Sequence, residues 1–363
     1  MKLDETLLEK TEALLQALHG CPELSGQERT TEARIRSFLR ENTSMEVRPC
    51  GRGFYAAHAE TDRALPGIVL RADYDALPLP EGGAAHLCGH DGHAAVLCGV
   101  ALALETMRVG RNVFLLFQSA EETGEGAKGC LDLFDRERVE AVYGAHNLPG
   151  FPLGQVLTRP GTFACASQGL TLGLRGSSTH AAYPELGVSP ARAVGSLLYE
   201  LPDLVPDRTR DGIRLCTVVG ARVGEKAFGM AASTAEVWLT LRAEEDEVLA
   251  DACGTVVRRM EELAGQAGLT LTREDQDVFP ATRNDPDCAR RVLTACGGAV
   301  LEQPMRWSED FGHYLRRCPG AFFGIGAGET CRPLHSTEYQ YPRELLAPSV
   351  QAFINLLASY RGQ

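Results

Sequence analysis

The sequence predicts an α/β protein: a mostly parallel sheet flanked by helices, with an inserted ferredoxin-like α+β unit. Three observations carry this. Short apolar runs of strand length alternate with longer stretches of helical period. Polar residues gather just beyond the ends of those runs, where open α/β sheets place their sites. Across residues 168–277 the order changes to β-α-β-β-α-β, the split βαβ pattern.

Each element follows from its residues. Leu7, Leu8, Leu14, Leu15 and Leu18 recur at helical spacing over Leu3–Leu18, and Gly20 and Pro22 stop that helix. A second helix fits Gln27–Glu41, with Ile35, Phe38 and Leu39 on one face. Ile68-Val69-Leu70 reads as a buried strand that delivers Arg71-Ala72-Asp73-Tyr74-Asp75 at its C-terminal end. His93–Arg108 is Ala/Leu-rich and reads as a buried helix. Val113–Phe117 is a strand leading into Gln118-Ser119-Ala120-Glu121-Glu122, and Ala141–Ala145 is another, leading into His146-Asn147. In the insert, Leu170–Leu174, Arg214–Val223, Ala235–Leu241 and Leu269–Thr272 read as strands, and Pro190–Leu201 and Glu247–Leu263 as helices. The chain then returns to helix (Asp285–Cys296), strand (Ala321–Ile325) and a last helix (Pro348–Tyr360).

The 363 residues suit one large domain or two ordinary ones. An apolar share of 44% and a charged share of 23% are those of a globular chain with a real core. The net charge of −12 leaves no basic surplus to displace counterions, so a nucleic-acid partner is not expected. The longest apolar run, Ala94–Leu104, is too short for the ~20 residues of a membrane span. Met1-Lys2-Leu3-Asp4-Glu5-Thr6 is a charged helical start without the apolar core of a secretory leader, so a cytoplasmic location is expected. Twelve cysteines are too dilute for a disulfide scaffold and read as reduced thiols, mostly packed as small apolar side chains.

Two clusters carry chemistry. His86-Leu87-Cys88-Gly89-His90-Asp91-Gly92-His93 concentrates the thiolate, imidazole and carboxylate groups that zinc and related divalent ions select. In extended chain Cys88 and His90 point to one side, and Asp91 is placed to orient a ligand histidine through its second N–H. Glu121-Glu122 follows a buried strand. Two adjacent buried carboxylates need a cation or a shared proton. One can ligate a metal while the other serves as general base on an activated water. His146 ends a strand, His335 lies in a polar loop, and His180 sits within the insert. There is no G-x-S-x-G, P-loop or His-Glu-x-x-His.

Together these clusters resemble the aminoacylase/carboxypeptidase family of dinuclear metallohydrolases. The branch is that of hippurate hydrolases, N-acyl-amino-acid amidohydrolases and plant auxin-conjugate hydrolases. The matching stretches are Leu18–Ser25, Arg71–Pro78, His86–His93, Gln118–Glu122, Gly126–Lys128, Gly144–Asn147, His180–Pro184, Glu309–Phe311, Pro319–Phe323 and His335-Ser336, in family order over nearly the whole chain. The resemblance implies that Cys88 bridges two metal ions and that His90, Glu122, His146 and His335 complete the coordination. Glu121 would be the general base. His180, in a lid and dimerisation domain over 168–277, would reach a partner subunit's site and stabilise the oxyanion. Residues 1–167 and 278–363 would form the catalytic domain. Asp75 falls where the family keeps an aspartate near the metals, and Arg242 matches an arginine at the end of a lid strand. Two departures stand out. Gly229 replaces the asparagine that helps relatives hold substrate across the dimer, and Ser119 replaces a proline.

The expected activity is hydrolysis of the amide bond in small N-acyl amino acids or related conjugates by a homodimer holding two divalent ions. Zinc or manganese fits best, with cobalt or nickel compatible. Three alternatives are a dipeptidase or exopeptidase on the same scaffold, a non-catalytic metal-binding relative, and a thiol hydrolase with Cys88 as nucleophile.

Overall fold

A computed structural model of the chain describes residues 3–60, 66–210 and 212–361. Met1 and Lys2 of the charged N-terminal start lie outside them. The described residues fall into two compact units.

The first unit takes in Met1–Phe163, Thr282–Glu302 and Asp310–Gln363. It opens with helices α1 (Glu5–His19) and α2 (Arg29–Asn42), strands β1 (Glu46–Cys50), β2 (Gly53–His58) and β3 (Gly67–Asp73), and helix α3 (His90–Leu104). Strands β4 (Asn112–Gln118), β5 (Val139–Pro149) and β6 (Val156–Thr158) follow. Leu7, Leu14, Leu15 and Leu18 of α1 and the Ile35/Leu39 pair of α2 are buried, and Leu8 and Phe38 pack partly buried against the same core. Helix α3 is apolar all round and nearly every residue in it is buried, so it runs through the core rather than along a surface.

The second unit comprises Ala164–Ala281 and Gln303–Glu309. It runs β7 (Ala166–Arg175), α4 (Ala191–Leu204), β8 (Arg214–Val223), β9 (Thr234–Ala243), α5 (Asp246–Ala267) and β10 (Thr270–Phe279). Its strands form a four-stranded antiparallel sheet in the order β8-β9-β7-β10. Leu170, Leu172 and Leu174 of β7 alternate inward with Val237, Leu239 and Leu241 of β9, against Leu197 and Leu201 of α4 and Val256 and Met260 of α5. The period of two and the order β-α-β-β-α-β thus yield the ferredoxin-like arrangement.

The chain re-enters the first unit through α6 (Pro286–Cys296), β11 (Ala299–Val300), β12 (Gly320–Gly328) and α7 (Leu346–Ala358). The sheet order is β1-β2-β4-β3-β5-β12-β6-β11. Pairings β4-β3, β3-β5 and β5-β12 are parallel, while β1-β2 and β2-β4 are antiparallel. The parallel centre is buried on both faces: every residue of β3 and β4 is buried. Each of the twelve cysteines is a free thiol, and five of them are only partly buried. No described helix is long and apolar enough to cross a membrane.

Candidate metal centre

The C-terminal ends of the central parallel strands deliver the polar residues, as an open α/β sheet dictates. Strand β3 leads into Asp75, and β4 into Glu121 and Glu122. Strand β5 is longer than its apolar run and carries His146 and Asn147 within its pairing, opposite Gly324 and Ile325 of β12. Cys88 and His90 do not share an extended stretch. Gly89 has φ +93°, and it turns the chain so that His90 opens α3. A Cβ on Gly89 would lie 2.6 Å from Asn147 Oδ1, so the tight turn requires glycine on both counts.

The turn nevertheless brings the expected ligands together. Cys88 Sγ lies 3.3 Å from His146 Nε2. His90 Nε2 lies 3.8 Å from Glu122 Oε1, and His335 Nε2 lies 3.8 Å from the same oxygen. Cys88, His90 and His146 form one group of converging donors, and Cys88, Glu122 and His335 form another. Cys88 is common to both. His335 has φ +65°, a conformation that costs a non-glycine residue strain, and its N–H is fixed on the Leu87 carbonyl at 2.8 Å. Glu121 is buried, groups with His90 and Glu122, and accepts the Asp310 N–H at 3.3 Å.

The donor set fits a cation. His90 Nε2 and Glu122 Oε1 are buried and have no hydrogen-bond partner among the described residues. Buried polar atoms are otherwise almost always paired, and a 3.8 Å separation suits two ligands of one divalent ion at bonds of about 2.0–2.2 Å. Burial pushes Glu122 up to about 7, helped by the Asp75 and Asp73 charges and opposed by His90. Burial raises the Cys88 thiol as well, so a thiolate there needs a positive partner. Burial, with His93 and His90, keeps His146 neutral far below its ordinary range, and burial with His90 lowers His335, which leaves both rings in the form that binds metals.

Around these donors stand residues that orient them. Asp75 Oδ1 accepts His90 Nδ1–H at 2.9 Å, which leaves Nε2 to face Glu122. Burial opposes a charge on this ring, but Asp73, Cys88 and Asp75 outweigh it and hold His90 well above its ordinary range, so a cation bound here takes the place of the Nε2 proton. Asp75 Oδ2 accepts the Ser25 hydroxyl at 2.7 Å and the Glu122 N–H at 3.0 Å. Asp91 does not take the orienting role expected of it. It receives His19 Nδ1 at 2.7 Å and the Gly92 N–H at 3.0 Å, because α1 brings His19 against the first turn of α3. His93 is engaged at both ring nitrogens, with Asp73 and with Asn147, each at 2.6 Å. Asp73 in turn takes Arg71 at 2.7 Å, and Arg71 reaches Asp310 at 2.8 Å and Gln118 at 2.9 Å. This buried guanidinium sits inside an apolar run, and only its position at the strand's end signals it.

In the second unit His180 is exposed. Its Nδ1 accepts the Ala182 N–H at 3.1 Å, so Nε2 carries the proton. Arg242 donates to Ser308 Oγ at 2.8 Å and to the Arg306 carbonyl at 3.4 Å. Gly229 accepts the Ala181 N–H at 3.0 Å, and a Cβ there would meet nothing within 4 Å.

Comparison with known proteins gives the chain's family and its fold relatives. Residues 69–359 match the model of peptidase family M20/M25/M40. The chain is 30% identical to the N-acetyl-L-cysteine deacetylase of Bacillus subtilis (strain 168), over 88% of this chain and 81% of that one. It is 28% identical to the IAA-amino acid hydrolase ILR1-like 2 of Arabidopsis thaliana, over 94% of this chain and 83% of that one. The fold is shared with the YXEP protein of Bacillus subtilis, described as a dinuclear metal binding peptidase: TM-score 0.81, 24% identity, 98% of each chain covered.

Proposed function

The chain belongs to the peptidase M20/M25/M40 family, and from that premise we propose that it is a metal-dependent amidohydrolase cleaving small N-acyl amino acids or related conjugates. The observation that carries the proposal is the pair of buried, unpartnered donors, His90 Nε2 and Glu122 Oε1, set among Cys88, His146 and His335 beside a second buried glutamate. The similarity to a protein named as an N-acetyl-L-cysteine deacetylase and to one named as an IAA-amino acid hydrolase supports the substrate class.

Cys88, His90, Glu122, His146 and His335 would hold two divalent ions, with Cys88 shared. Bound there, the ions supply Lewis-acid polarisation of the scissile carbonyl and acidify water, for which zinc or manganese best suits the mixed donor set and cobalt or nickel is compatible. Glu121 takes a proton from the attacking water and hands it to the leaving amine nitrogen. Asp75 holds His90 in the tautomer that keeps Nε2 available. His180 presents an Nε2–H, the donor an oxyanion needs, and acts on the site of a second copy of the chain. Residues 168–277 would be the lid and dimerisation domain. Its edge strand β8 exposes Val218, Val219 and Val223, and Phe228 and Met230 are exposed nearby, a surface suited to a homodimer. A cytoplasmic location accords with the free thiols.

Glu121→Gln tests the mechanism. Hydrolysis should fall by about 10²–10⁴ while metal content is retained; full activity would refute the base assignment. Mixing His180→Ala subunits with Glu121→Gln subunits should restore activity at one site of the heterodimer, and no recovery would refute action in trans. The description of the YXEP protein as a peptidase favours a second reading, exopeptidase action. Dipeptides turned over faster than N-acyl amino acids would select it.

A further inference from the structure

Ala120 immediately precedes the two site glutamates and has φ +55°, a left-handed conformation that a residue with a Cβ disfavours. The turn is held from several sides. The Ala120 N–H donates to Glu28 Oε1 at 2.8 Å. The Ala120 carbonyl accepts the Gly126 N–H at 3.0 Å and the Thr123 hydroxyl at 3.2 Å. One residue earlier, the Ser119 N–H and hydroxyl both donate to the Arg52 carbonyl, at 3.1 and 2.7 Å.

Glu28 is the unexpected member. It lies just before α2, 92 positions from Ala120, and its side chain is buried. The N–H groups of Gly26 and of Glu28 itself face the same carboxylate. A buried carboxylate is unfavourable unless it is hydrogen-bonded, and no step of the amide chemistry uses this one. Its oxygen instead ends on the one backbone N–H whose orientation sets how the chain enters Glu121. Rotation about Ala120 would swing Glu121, and misplacing a catalytic group by about 1 Å can cost about a hundredfold in rate.

We propose that Glu28 is a positioning residue: its carboxylate holds Ala120 in the left-handed conformation and so aims the Glu121 carboxylate. The functional part of this rests on the reading of Glu121 as general base.

The test compares Glu28→Ala, Glu28→Gln, Ala120→Gly and the double variant Glu28→Ala/Ala120→Gly. The readouts are kcat and KM on one N-acyl amino acid, metal content, and the crystallographic φ of residue 120. In Glu28→Ala, φ should leave the left-handed region and kcat should fall at least about tenfold, with KM within about threefold and metal content unchanged. Glu28→Gln keeps an acceptor oxygen and should retain most of kcat. Adding Ala120→Gly to Glu28→Ala should recover much of the loss, because glycine adopts this φ without a Cβ clash. The proposal is overturned if residue 120 keeps its φ in Glu28→Ala, if kcat falls only in step with metal loss, or if glycine at 120 recovers nothing. Should the alanine variant not fold, Glu28→Gln decides: a kcat loss of tenfold or more with metal retained overturns the acceptor role, and retained kcat supports it. If Glu121→Gln keeps full activity, the base reading fails by itself, and the φ of residue 120 still decides whether Glu28 holds the turn.

Discussion

Replacing Asp75 should weaken metal binding although Asp75 is not among the five expected ligands. Its carboxylate accepts His90 Nδ1–H at 2.9 Å, the Glu122 N–H at 3.0 Å and the Ser25 hydroxyl at 2.7 Å. Two of these three donors belong to expected ligands. In Asp75→Ala the Ser25 hydroxyl, which is partly exposed, can turn to water. The His90 ring and the Glu122 amide have no such outlet, and each stranded donor costs about 1–3 kcal/mol, so the fold should lose about 2–6 kcal/mol. His90 would also lose the partner that keeps its proton on Nδ1, and a group of this kind contributes about 10–100-fold to metal affinity. The assay is competition for zinc against a chelator of known affinity, with Asp75→Asn alongside. The carboxamide keeps one acceptor for two donors and should fall between wild type and alanine. Wild-type affinity in a folded Asp75→Ala variant would refute the reasoning.

Three further outcomes follow from the site. Glu122 is raised from 4.5 to about 7, chiefly by burial, so the folded chelated protein holds a proton that the unfolded chain releases in that window. Its contribution to stability therefore falls as pH rises from about 4.5 to 7, and chelated Glu122→Gln should gain about 3 kcal/mol over wild type between pH 4 and 8 in denaturant melts; parallel stability–pH curves would contradict this. Gly89→Ala meets both a positive φ and the Asn147 amide at 2.6 Å, so thermal melts should show a loss of about 1–3 kcal/mol and bound metal should drop; unchanged metal content would show that the turn is not needed. Gly229→Asn has open space for its side chain and should leave the melting temperature unchanged while lowering KM for N-acyl amino acids, by up to about tenfold for one regained hydrogen bond; an unchanged KM would remove this position from substrate binding.

What could be read in the sequence divides along physical lines. Strands β3, β4 and β5 and helix α3 were legible because burial on all sides leaves continuous apolar runs. The second unit was legible because β7 and β9 face a core on one side only and alternate. The edge pair β1 and β2 was not, since Glu46-Val47-Arg48-Pro49-Cys50 is polar, carries a proline and pairs only at the sheet margin. The ligand types could be named from residue chemistry. Which carboxylate supports which histidine could not, because it depends on approach through space: Asp91 meets His19, 72 positions away, while Asp75 takes His90. Glu28 was silent for the same reason: its partner comes from another element, and it sits in no run of metal-binding residue types. Arg71 was marked by its place at the strand's end, but its pairing with Asp310, 239 positions away, was not.

The most direct measurement is hydrolysis of an N-acyl amino acid panel by the purified protein before chelation, after it, and after return of zinc or manganese. Activity should vanish with the metal and come back with it, at two ions per chain. Hydrolysis that survives complete removal of metal would contradict a metal-dependent amidohydrolase and would point instead to Cys88 acting as a nucleophile.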